Sequence, residues 1–289
     1  MKKLIVIIFI IALIFIGVFA KNYNPVINET ELKKNKVELA KNGIIELNLG
    51  VTNCFLIKNG DKYVLIDTGY EYEWDLFNEK LKEIGVSISD ISYIILTHHH
   101  DDHCGLLNKL TTENNDIRVV MSNLAKELIL NGQNDLNHNG GFINKRAKQI
   151  KYLKNKFDKE WNELKFTPYQ VREKDILITE DTLLKEIGIE LEGKIIITPG
   201  HSKDSISVIF DSGYCFVGDA AANMPIFQLV GAKYCVLVLE DLDKYYESWK
   251  KIISMNVKYI LPGHGNLITV EKLKENVGKN KKEDMVSNK

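Results

Sequence analysis

The chain has 289 residues, of which 45% are hydrophobic, and its 38 Lys and Arg residues nearly balance 39 Asp and Glu residues for a formal net charge of −1. This length and apolar content suit one large α/β domain, or at most two small ones. Because charges of both signs are mixed along the chain, nothing in it attracts a polyanion, so we expect no nucleic-acid partner.

The N-terminus has the pattern of an export signal. Met1-Lys2-Lys3 precedes an uninterrupted apolar run from Leu4 to Ala20, and the last residues of that run are compatible with cleavage. A run of 17 residues lies between a typical signal core and a full membrane span, so an uncleaved anchor is the alternative. We expect residues 1–20 to be a signal peptide or membrane anchor, and the rest to be secreted or held outside the cytoplasm.

The four cysteines are too few and too scattered for a disulfide framework. Cys54, Cys215 and Cys235 lie in apolar, strand-like contexts, which favours buried free thiols. A Cys215–Cys235 bridge is the alternative outside the cell. Cys104 adjoins a histidine cluster and is left out of the predicted ligand set.

The first hundred residues predict strands and one helix. Strands are expected over 44–49, 51–57, 63–66 and 91–96, with a hairpin turn at 59–61 and a helix over 74–84 that Gly85 stops. Asp67-Thr68-Gly69 follows the third of these strands. Asp67 is interpreted either as a turn former or as a carboxylate that orients a metal-bound histidine.

A dense polar cluster follows the fourth strand, in the order His98, His99, His100, Asp101, Asp102 and His103. A core does not bury so many polar groups without strong partners. In an extended exit from the strand, His98 and His100 point to one side and His99 to the other, and after a turn Asp102 and His103 face the same space as the first pair. Imidazole suits zinc and carboxylate completes a second site, so the cluster predicts metal binding. The alternative is a polar loop with incidental histidines.

Residues 131–172 interrupt the strand pattern. After the histidine cluster we expect a short helix near 106–110, a strand over 117–121 and a helix over about 122–130. Loop-like sequence then leads to a helix over about 143–164 with an apolar stripe. This insert either caps the predicted site and shapes substrate choice or is purely structural. His138 within it is interpreted as a surface histidine.

The second half is again rich in strands. They are predicted over 175–178, 187–191, 193–197, 205–210, 214–217 and 259–261, with a helix over 242–253 and a frayed or disordered polar tail after Val270. His201, Asp219 and His264 each follow one of these strands, beside glycine. Glycine lets the backbone turn sharply into a crowded centre. One such histidine would more often be structural; three such positions together with the cluster favour a metal site.

These residues resemble the metallo-β-lactamase superfamily of metallohydrolases. The matching motifs are Asp67-Thr68-Gly69, the run from His98 to His103, Pro199-Gly200-His201-Ser202, Gly218-Asp219-Ala220 and Pro262-Gly263-His264-Gly265. The resemblance implies an α/β fold, a four-layer αββα sandwich, with the site at one edge of its two sheets. The hydrolase domain would then cover residues 21–270, followed by a polar tail over 271–289.

The resemblance also implies a binuclear site. His98, His100 and His201 would hold one metal, Asp102, His103 and His264 the other, and Asp219 would bridge the two. Two zinc ions are expected per chain, with iron or manganese as alternatives. Such a pair lowers the pKa of a shared water to near 7 and polarises a carbonyl, with Asp102 and Asp219 as catalytic acceptors that align the nucleophile. The resemblance therefore implies hydrolysis of an ester, thioester, lactone or related bond in a small-molecule substrate.

Within the superfamily, the pattern looks closer to glyoxalase II and acyl-homoserine lactonases. Asp219 stands where the commonest zinc β-lactamases are expected to carry cysteine, and His100 where flavo-diiron proteins are expected to carry glutamate. Only 25 residues follow His264, too few for the C-terminal domain of glyoxalase II. Two alternatives remain: a mononuclear iron oxygenase of the persulfide dioxygenase type, and a metal-binding module without turnover.

Overall fold

The computed structural model describes residues 37–135, 140–157 and 165–287. The chain divides into two compact units, residues 1–43 and residues 44–289. In the described part of the first unit, residues 37–41 are helical. No helix in the described ranges has the length and apolar character needed to cross a membrane. The predicted signal peptide or anchor and His138 lie outside the described residues, and so does the end of the predicted helix over 143–164.

The described part of the second unit contains fifteen strands. In chain order they are β1 (Ile44–Asn48), β2 (Asn53–Asn59), β3 (Lys62–Ile66), β4 (Ile91–Ile95), β5 (Arg118–Ser122), β6 (Gly141–Phe142), β7 (Ile176–Ile178), β8 (Thr182–Leu183), β9 (Gly193–Ile197), β10 (Ile206–Phe210), β11 (Tyr214–Gly218), β12 (Val238–Leu239), β13 (Tyr259–Pro262), β14 (Ile268–Thr269) and β15 (Val286–Ser287).

The α-helices lie between these strands. They are α1 (Trp74–Glu83), α2 (Asp101–Cys104), α3 (Leu107–Glu113), α4 (Lys126–Leu130), α5 (Lys145–Phe157), α6 (Pro225–Leu229), α7 (Leu242–Ile253) and α8 (Val270–Asn276). Short 3-10 turns cover Glu71–Glu73, Ile88–Asp90, Asn123–Ala125, Leu184–Ile187 and Lys282–Asp284.

Two six-stranded mixed sheets form the centre of the unit. The first has the order β1-β2-β3-β4-β5-β7, antiparallel from β1 to β3 and parallel from β3 to β7. The second has the order β14-β13-β11-β10-β9-β8, in which only β11 and β13 pair in parallel. A small third sheet, β12-β6-β15, is antiparallel.

The two large sheets face each other, and helices cover their outer faces. Side chains alternate along a strand, so in β2 Phe55 points to the opposite sheet and contacts Phe216 of β11 at 5.0 Å between ring centroids. Its neighbour Leu56 points outward and shares an apolar cluster with Phe77 of α1. In the same way Val217 packs outward in the apolar cluster that contains Trp249 of α7. The predicted αββα sandwich is therefore confirmed.

Helix α7 matches its predicted bounds because its signals are local. The Asp241 side chain accepts hydrogen bonds from the backbone N–H groups of Asp243 and Lys244, which caps the first turn. Tyr245 and Trp249, four residues apart, lie on one face and are fully buried. A capped start and an apolar stripe are both readable in the sequence.

The strand predicted over 187–191 is wrong. A 3-10 turn covers Leu184–Ile187 instead and ends at Gly188, whose φ of +83° lies in the left-handed region. The Glu186 side chain accepts from the Leu183 backbone N–H and closes the start of the turn. Ile189 is buried as a single side chain, so the apolar residues here fill a core position without forming a strand.

Residues 271–287 are also ordered, contrary to the prediction that the tail after Val270 is frayed or disordered. Leu273 of α8 is fully buried in the second apolar cluster. The buried Asn280 side chain donates to the Ala232 carbonyl, and β15 pairs with β6. A few anchoring residues therefore hold a segment whose overall composition is polar.

Cys54, Cys215 and Cys235 are buried free thiols, as their apolar contexts predict, and Cys104 is buried and free as well. Cys215 and Cys235 do not form the alternative bridge. The Cys104 thiol donates to the His99 carbonyl at 3.1 Å, which is consistent with its omission from the ligand set.

Candidate metal centre

The residues of the predicted site come from the ends of four strands. Strand β4 leads into residues 98–103, and β9, β11 and β13 lead into His201, Asp219 and His264. Backbone hydrogen bonds join the two sheets at this edge, from Ile206 N to Thr97 O and from Asn53 N to Gly263 O, each 2.8 Å long. The loops of both sheets are thus held together around one centre.

Two glycines are required for this close approach. A Cβ on Gly218 would lie 2.2 Å from the Thr97 hydroxyl oxygen, and one on Gly263 would lie 2.5 Å from Cε1 of His103. Real Cβ atoms do not approach so closely. Gly218 also has a φ of +50°, which L-residues disfavour. The glycines let Asp219 and His264 reach the histidine cluster.

Three histidines converge on one side of the centre. His98, His100 and His201, here called the three-histidine group, each offer one ring nitrogen, and these three nitrogens lie within 4.8 Å of one another. Nε2 of His201 lies 2.9 Å from Nδ1 of His100. His98 and His201 are buried, and His100 is half-buried. Three imidazoles at such distances are a common protein ligand set for a zinc ion.

A second group lies beside the first. Asp102, His103 and His264, here called the mixed group, also offer ligand atoms within 4.8 Å of one another. Oδ2 of Asp102 lies 3.0 Å from Nε2 of His264 and 3.7 Å from Nε2 of His103. All three residues are buried.

Asp219 lies between the two groups. Its Oδ2 is 3.4 Å from Nε2 of His201, in the three-histidine group. Its Oδ1 is 3.3 Å from Nε2 of His264 and 3.5 Å from Nε2 of His103, in the mixed group. The two oxygens of one carboxylate therefore face different groups, as a bridging ligand requires.

Hydrogen bonds behind the rings fix which nitrogen faces the centre. Nδ1 of His201 donates to the Val238 carbonyl at 3.0 Å, and Nδ1 of His264 donates to the Val51 carbonyl at 2.9 Å. Nδ1 of His103 lies 2.8 Å from Oδ2 of Asp67. A carbonyl or ionised carboxylate only accepts, so each Nδ1 carries a proton and each Nε2 faces the centre. This is the second-layer arrangement typical of metal-binding histidines.

The inward-facing atoms fit a cation. Nε2 of His98, Nε2 of His103 and Oδ1 of Asp219 are buried, and none has a hydrogen-bond partner. Buried polar atoms are rarely left so. Imidazole nitrogen and carboxylate oxygen are also suitable ligands for zinc and similar divalent ions. The donor set and its unpaired atoms therefore fit one metal in each group.

The electrostatics differ between the two groups. Burial, reinforced by the other imidazoles, holds the pKa of His98 and of His100 well below its ordinary value. Burial alone would raise the pKa of Asp102, but His103 and His264 outweigh it and hold that pKa below its usual range. Burial opposes protonation of His264, yet Asp219 and Asp102 raise the pKa of His264 to about 9. The three-histidine group is thus neutral, and the mixed group carries ionised carboxylate.

Asp67 lies behind both groups. Its Oδ1 accepts from the Thr97 backbone N–H, and its Oδ2 accepts from the Thr97 hydroxyl and from His103, all at 2.8 Å. The Thr97 oxygen in turn lies 3.1 Å from Nδ1 of His98. Since the Thr97 proton goes to Asp67, its oxygen accepts from His98. One carboxylate thus orients a histidine of each group, which favours the orienting interpretation of Asp67.

Several supporting residues were not predicted. The carbonyls of Val51 and Val238 fix two histidines, but a backbone acceptor leaves no signature in the sequence. Thr97 directly precedes the histidines, and its hydroxyl could have been considered. Asn53 is a polar residue at the start of an apolar strand; its side chain donates to the carbonyls of Pro262 and Gly265, on either side of His264.

The insert contacts the metal-binding loop through its described N-terminal end. Asn134 accepts from the Asp101 backbone N–H at 2.8 Å and donates to the Asp101 carboxylate at 2.7 Å. The Asp135 backbone N–H donates to Nε2 of His99 at 3.2 Å. These contacts place the start of the insert against the loop, and its proposed capping role stays a prediction.

A buried carboxyl group near this loop provides a pH-dependent prediction. Glu73 is 7% exposed, and its Oε2 accepts from the Tyr70 backbone N–H. Burial raises the pKa of Glu73 from 4.5 to about 7, and the charge of Asp102 adds to this. An unfolded chain ionises this group near pH 4.5 while the folded chain keeps it protonated, so its contribution to stability is present below pH 4.5 and is lost as the pH rises to about 7.

Glu73→Gln keeps the acceptor for Tyr70 and removes the titration. We expect the metal-free variant to be more stable than metal-free wild type at pH 8, by at most about 3 kcal/mol, and to match it near pH 4.5. Urea unfolding at both pH values measures the difference, with exposed Glu113→Gln as control. A difference that does not change with pH would contradict this assignment.

Known proteins are similar to this chain over most of its length. The profile described as Metallo-beta-lactamase superfamily matches residues 47–264. A Beta-lactamase-like protein 2 homolog of Caenorhabditis elegans is 27% identical over 232 residues, which cover 78% of this chain and 60% of that protein. The Probable metallo-hydrolase YqjP of Bacillus subtilis (strain 168) is 28% identical over 241 residues, which cover 76% of this chain and 69% of that protein.

A solved structure agrees in fold. A metallo-beta-lactamase from Cronobacter sakazakii aligns with a TM-score of 0.55 at 17% identity and covers 82% of this chain and 88% of its own. At this identity the likeness supports the fold alone. The profile match extends from the end of β1 to His264 and so includes strands β2 to β13 and all the converging residues. The chain therefore belongs to the metallo-beta-lactamase superfamily.

Proposed function

We propose that this chain is a zinc-dependent hydrolase with two metal ions, and that it cleaves an ester, thioester, lactone or related bond of a small molecule. The observation that carries the proposal is Asp219, whose two carboxylate oxygens face two different groups of potential ligands. The names of two relatives, a beta-lactamase-like protein and a probable metallo-hydrolase, support hydrolysis.

The carboxylates and the histidines of the centre have different roles. A pair of divalent ions, when bound, lowers the pKa of water and polarises a carbonyl. Asp102 and Asp219 are ionised and accept hydrogen bonds, so they orient an attacking water. Because the three-histidine group is neutral, Asp102 and Asp219 supply negative charge that offsets the charge of bound cations. Burial of the centre strengthens these electrostatic interactions.

Zinc is proposed because imidazole dominates the ligand set, with iron or manganese as alternatives. We assign the chain to a branch near glyoxalase II and the lactonases because aspartate stands at position 219. The basic and apolar N-terminus is the basis for proposing export. N-terminal sequencing of the mature protein distinguishes a cleaved signal from a retained anchor.

Metal analysis combined with a substrate screen tests the proposal. We expect purified protein to contain two zinc ions per chain and to hydrolyse at least one member of a panel of lactones, thioesters and β-lactams. Asp102→Ala and His264→Ala should each lower that activity at least ~100-fold, because each removes a ligand of the mixed group. Asp61→Asn, in the exposed turn before β3, serves as a control.

Unchanged hydrolysis in both alanine variants would falsify the hydrolase assignment. One iron per chain together with oxygen consumption on a persulfide would indicate the oxygenase instead. Bound zinc without turnover on the whole panel would favour a metal-binding module.

A further inference from the structure

His99 is the one histidine of the cluster that faces away from the centre. Its side chain is fully buried, and both ring nitrogens are engaged. Nδ1 lies 2.9 Å from Oδ1 of Asp204, and Nε2 accepts from the Asp135 backbone N–H at 3.2 Å. Because Nε2 accepts, Nδ1 carries the proton and donates to Asp204. Neither nitrogen is left for a metal.

Asp204 connects this ring to the other loop of the three-histidine group. It lies three residues after His201, in the connection between β9 and β10, and is 1% exposed. The His99–Asp204 contact therefore joins the loop of His98 and His100 to the loop of His201. A backbone hydrogen bond from Ile206 N to Thr97 O joins the same two segments.

His99 lies between two potential ligands in the sequence, so its contacts affect the positions of both. Side chains on an extended segment alternate in direction. The hydrogen bonds of the His99 side chain therefore fix the backbone from which His98 and His100 extend toward the opposite side. The next residue facing away, Asp101, is held by Asn134. Hydrogen bonds on the side away from the centre thus hold His99 and Asp101, the residues next to His98 and His100 in the sequence.

We propose that His99 is a positioning residue, which through Asp204 sets the distance between the two loops that form the three-histidine group. This inference rests on the proposed binuclear site and adds a residue that contacts no metal. The mixed group has other supports: the Val51 carbonyl and the Asn53 side chain hold His264 and its loop, and Asp67 holds His103. Loss of the His99 contact should therefore act on one metal and spare the other.

His99→Phe tests the proposal, since it retains a ring and deletes both hydrogen bonds. We expect metal-free protein titrated with Co²⁺ to bind one ion as wild type does and the other ~10-fold or more weakly. The visible spectrum of the weakened Co²⁺ site should shift, because its ligand geometry relaxes. A merely structural role for His99 would lower thermal stability without altering one site selectively.

A conservative variant and a matched control sharpen the test. His99→Asn keeps a donor near the place of Nδ1, so it should regain most of the Co²⁺ affinity and spectrum. Asn53→Ala removes an equally buried side chain that supports the His264 loop, and it should weaken the other ion instead. If His99→Phe does not fold, Asp204→Asn, which keeps a weaker acceptor, should lower affinity for the same ion severalfold.

The outcomes separate the two proposals. Wild type that binds fewer than two Co²⁺ ions would contradict the binuclear site itself. Wild type that binds two, with His99→Phe or Asp204→Asn showing the same two affinities and the same spectrum, would overturn the role of His99 alone. Equal weakening of both ions would also overturn it, because the inferred effect is confined to the three-histidine group.

Discussion

Asp219→Ala is expected to lower kcat/KM for hydrolysis about 10³-fold, or ~4 kcal/mol of transition-state stabilisation. Asp219 is the residue that faces both ligand groups, with oxygens 3.4 Å from His201 and 3.3 Å from His264. Without its carboxylate, two cations at this centre would repel each other with less compensating charge. We therefore expect the variant to lose at least one metal ion as well as activity.

The measurement pairs steady-state kinetics with metal content on the same preparation. Asp211→Ala is a matched control, because Asp211 is an exposed residue that precedes β11 while Asp219 follows it. Asp211→Ala should keep wild-type kinetics and metal content. An Asp219→Ala protein that retains two ions and more than a tenth of the wild-type activity would contradict a bridging role.

Asp67→Asn is expected to weaken metal binding 10- to 100-fold, although Asp67 contacts no metal. Its Oδ2 accepts two hydrogen bonds, from Thr97 and from His103. An amide has one oxygen, so in the variant either the Thr97 backbone N–H loses its acceptor or an NH₂ group opposes the two other donors. The orientation of His98 and His103 should relax together.

Asparagine is the appropriate replacement because Asp67 has a φ of +58°. Asparagine tolerates the left-handed region, whereas alanine would add backbone strain to the effect. Competition with a chelator measures the affinity for each ion, and Asp61→Asn controls for loss of one negative charge. If both affinities stay within twofold of wild type, Asp67 is only a turn former.

The sequence predicts the parts of the fold that depend on local pattern. The predicted bounds of strand β4 and helix α7 match the structure nearly to the residue. The strand is marked by an apolar run, and the helix by a capping residue and an amphipathic stripe, and each signal lies within a single segment. The strand prediction over 187–191 is wrong because the apolar residues there serve only to bury Ile189, and a short apolar run looks the same in the sequence whether or not it pairs in a sheet. The tail is ordered by few contacts, among them the buried Leu273, which composition does not reveal.

For the site, the types of the converging residues could be anticipated but their supports could not. The prediction that His99 faces away from His98 and His100 follows from strand alternation, and the contact with Asp204 agrees with it. The partner itself, 105 residues away, depends on how two sheets meet. The same holds for Val51 behind His264, because a carbonyl acceptor is common to every residue type.

The central claim is that two metal ions share Asp219, and anomalous diffraction from crystals of the zinc-loaded protein tests it most directly. Data collected on both sides of the zinc absorption edge should show two peaks roughly 3.5–4 Å apart, one within the three-histidine group and one within the mixed group, with Asp219 between them. A single peak, or no peak within bonding distance of these side chains in the presence of excess zinc, would contradict the account.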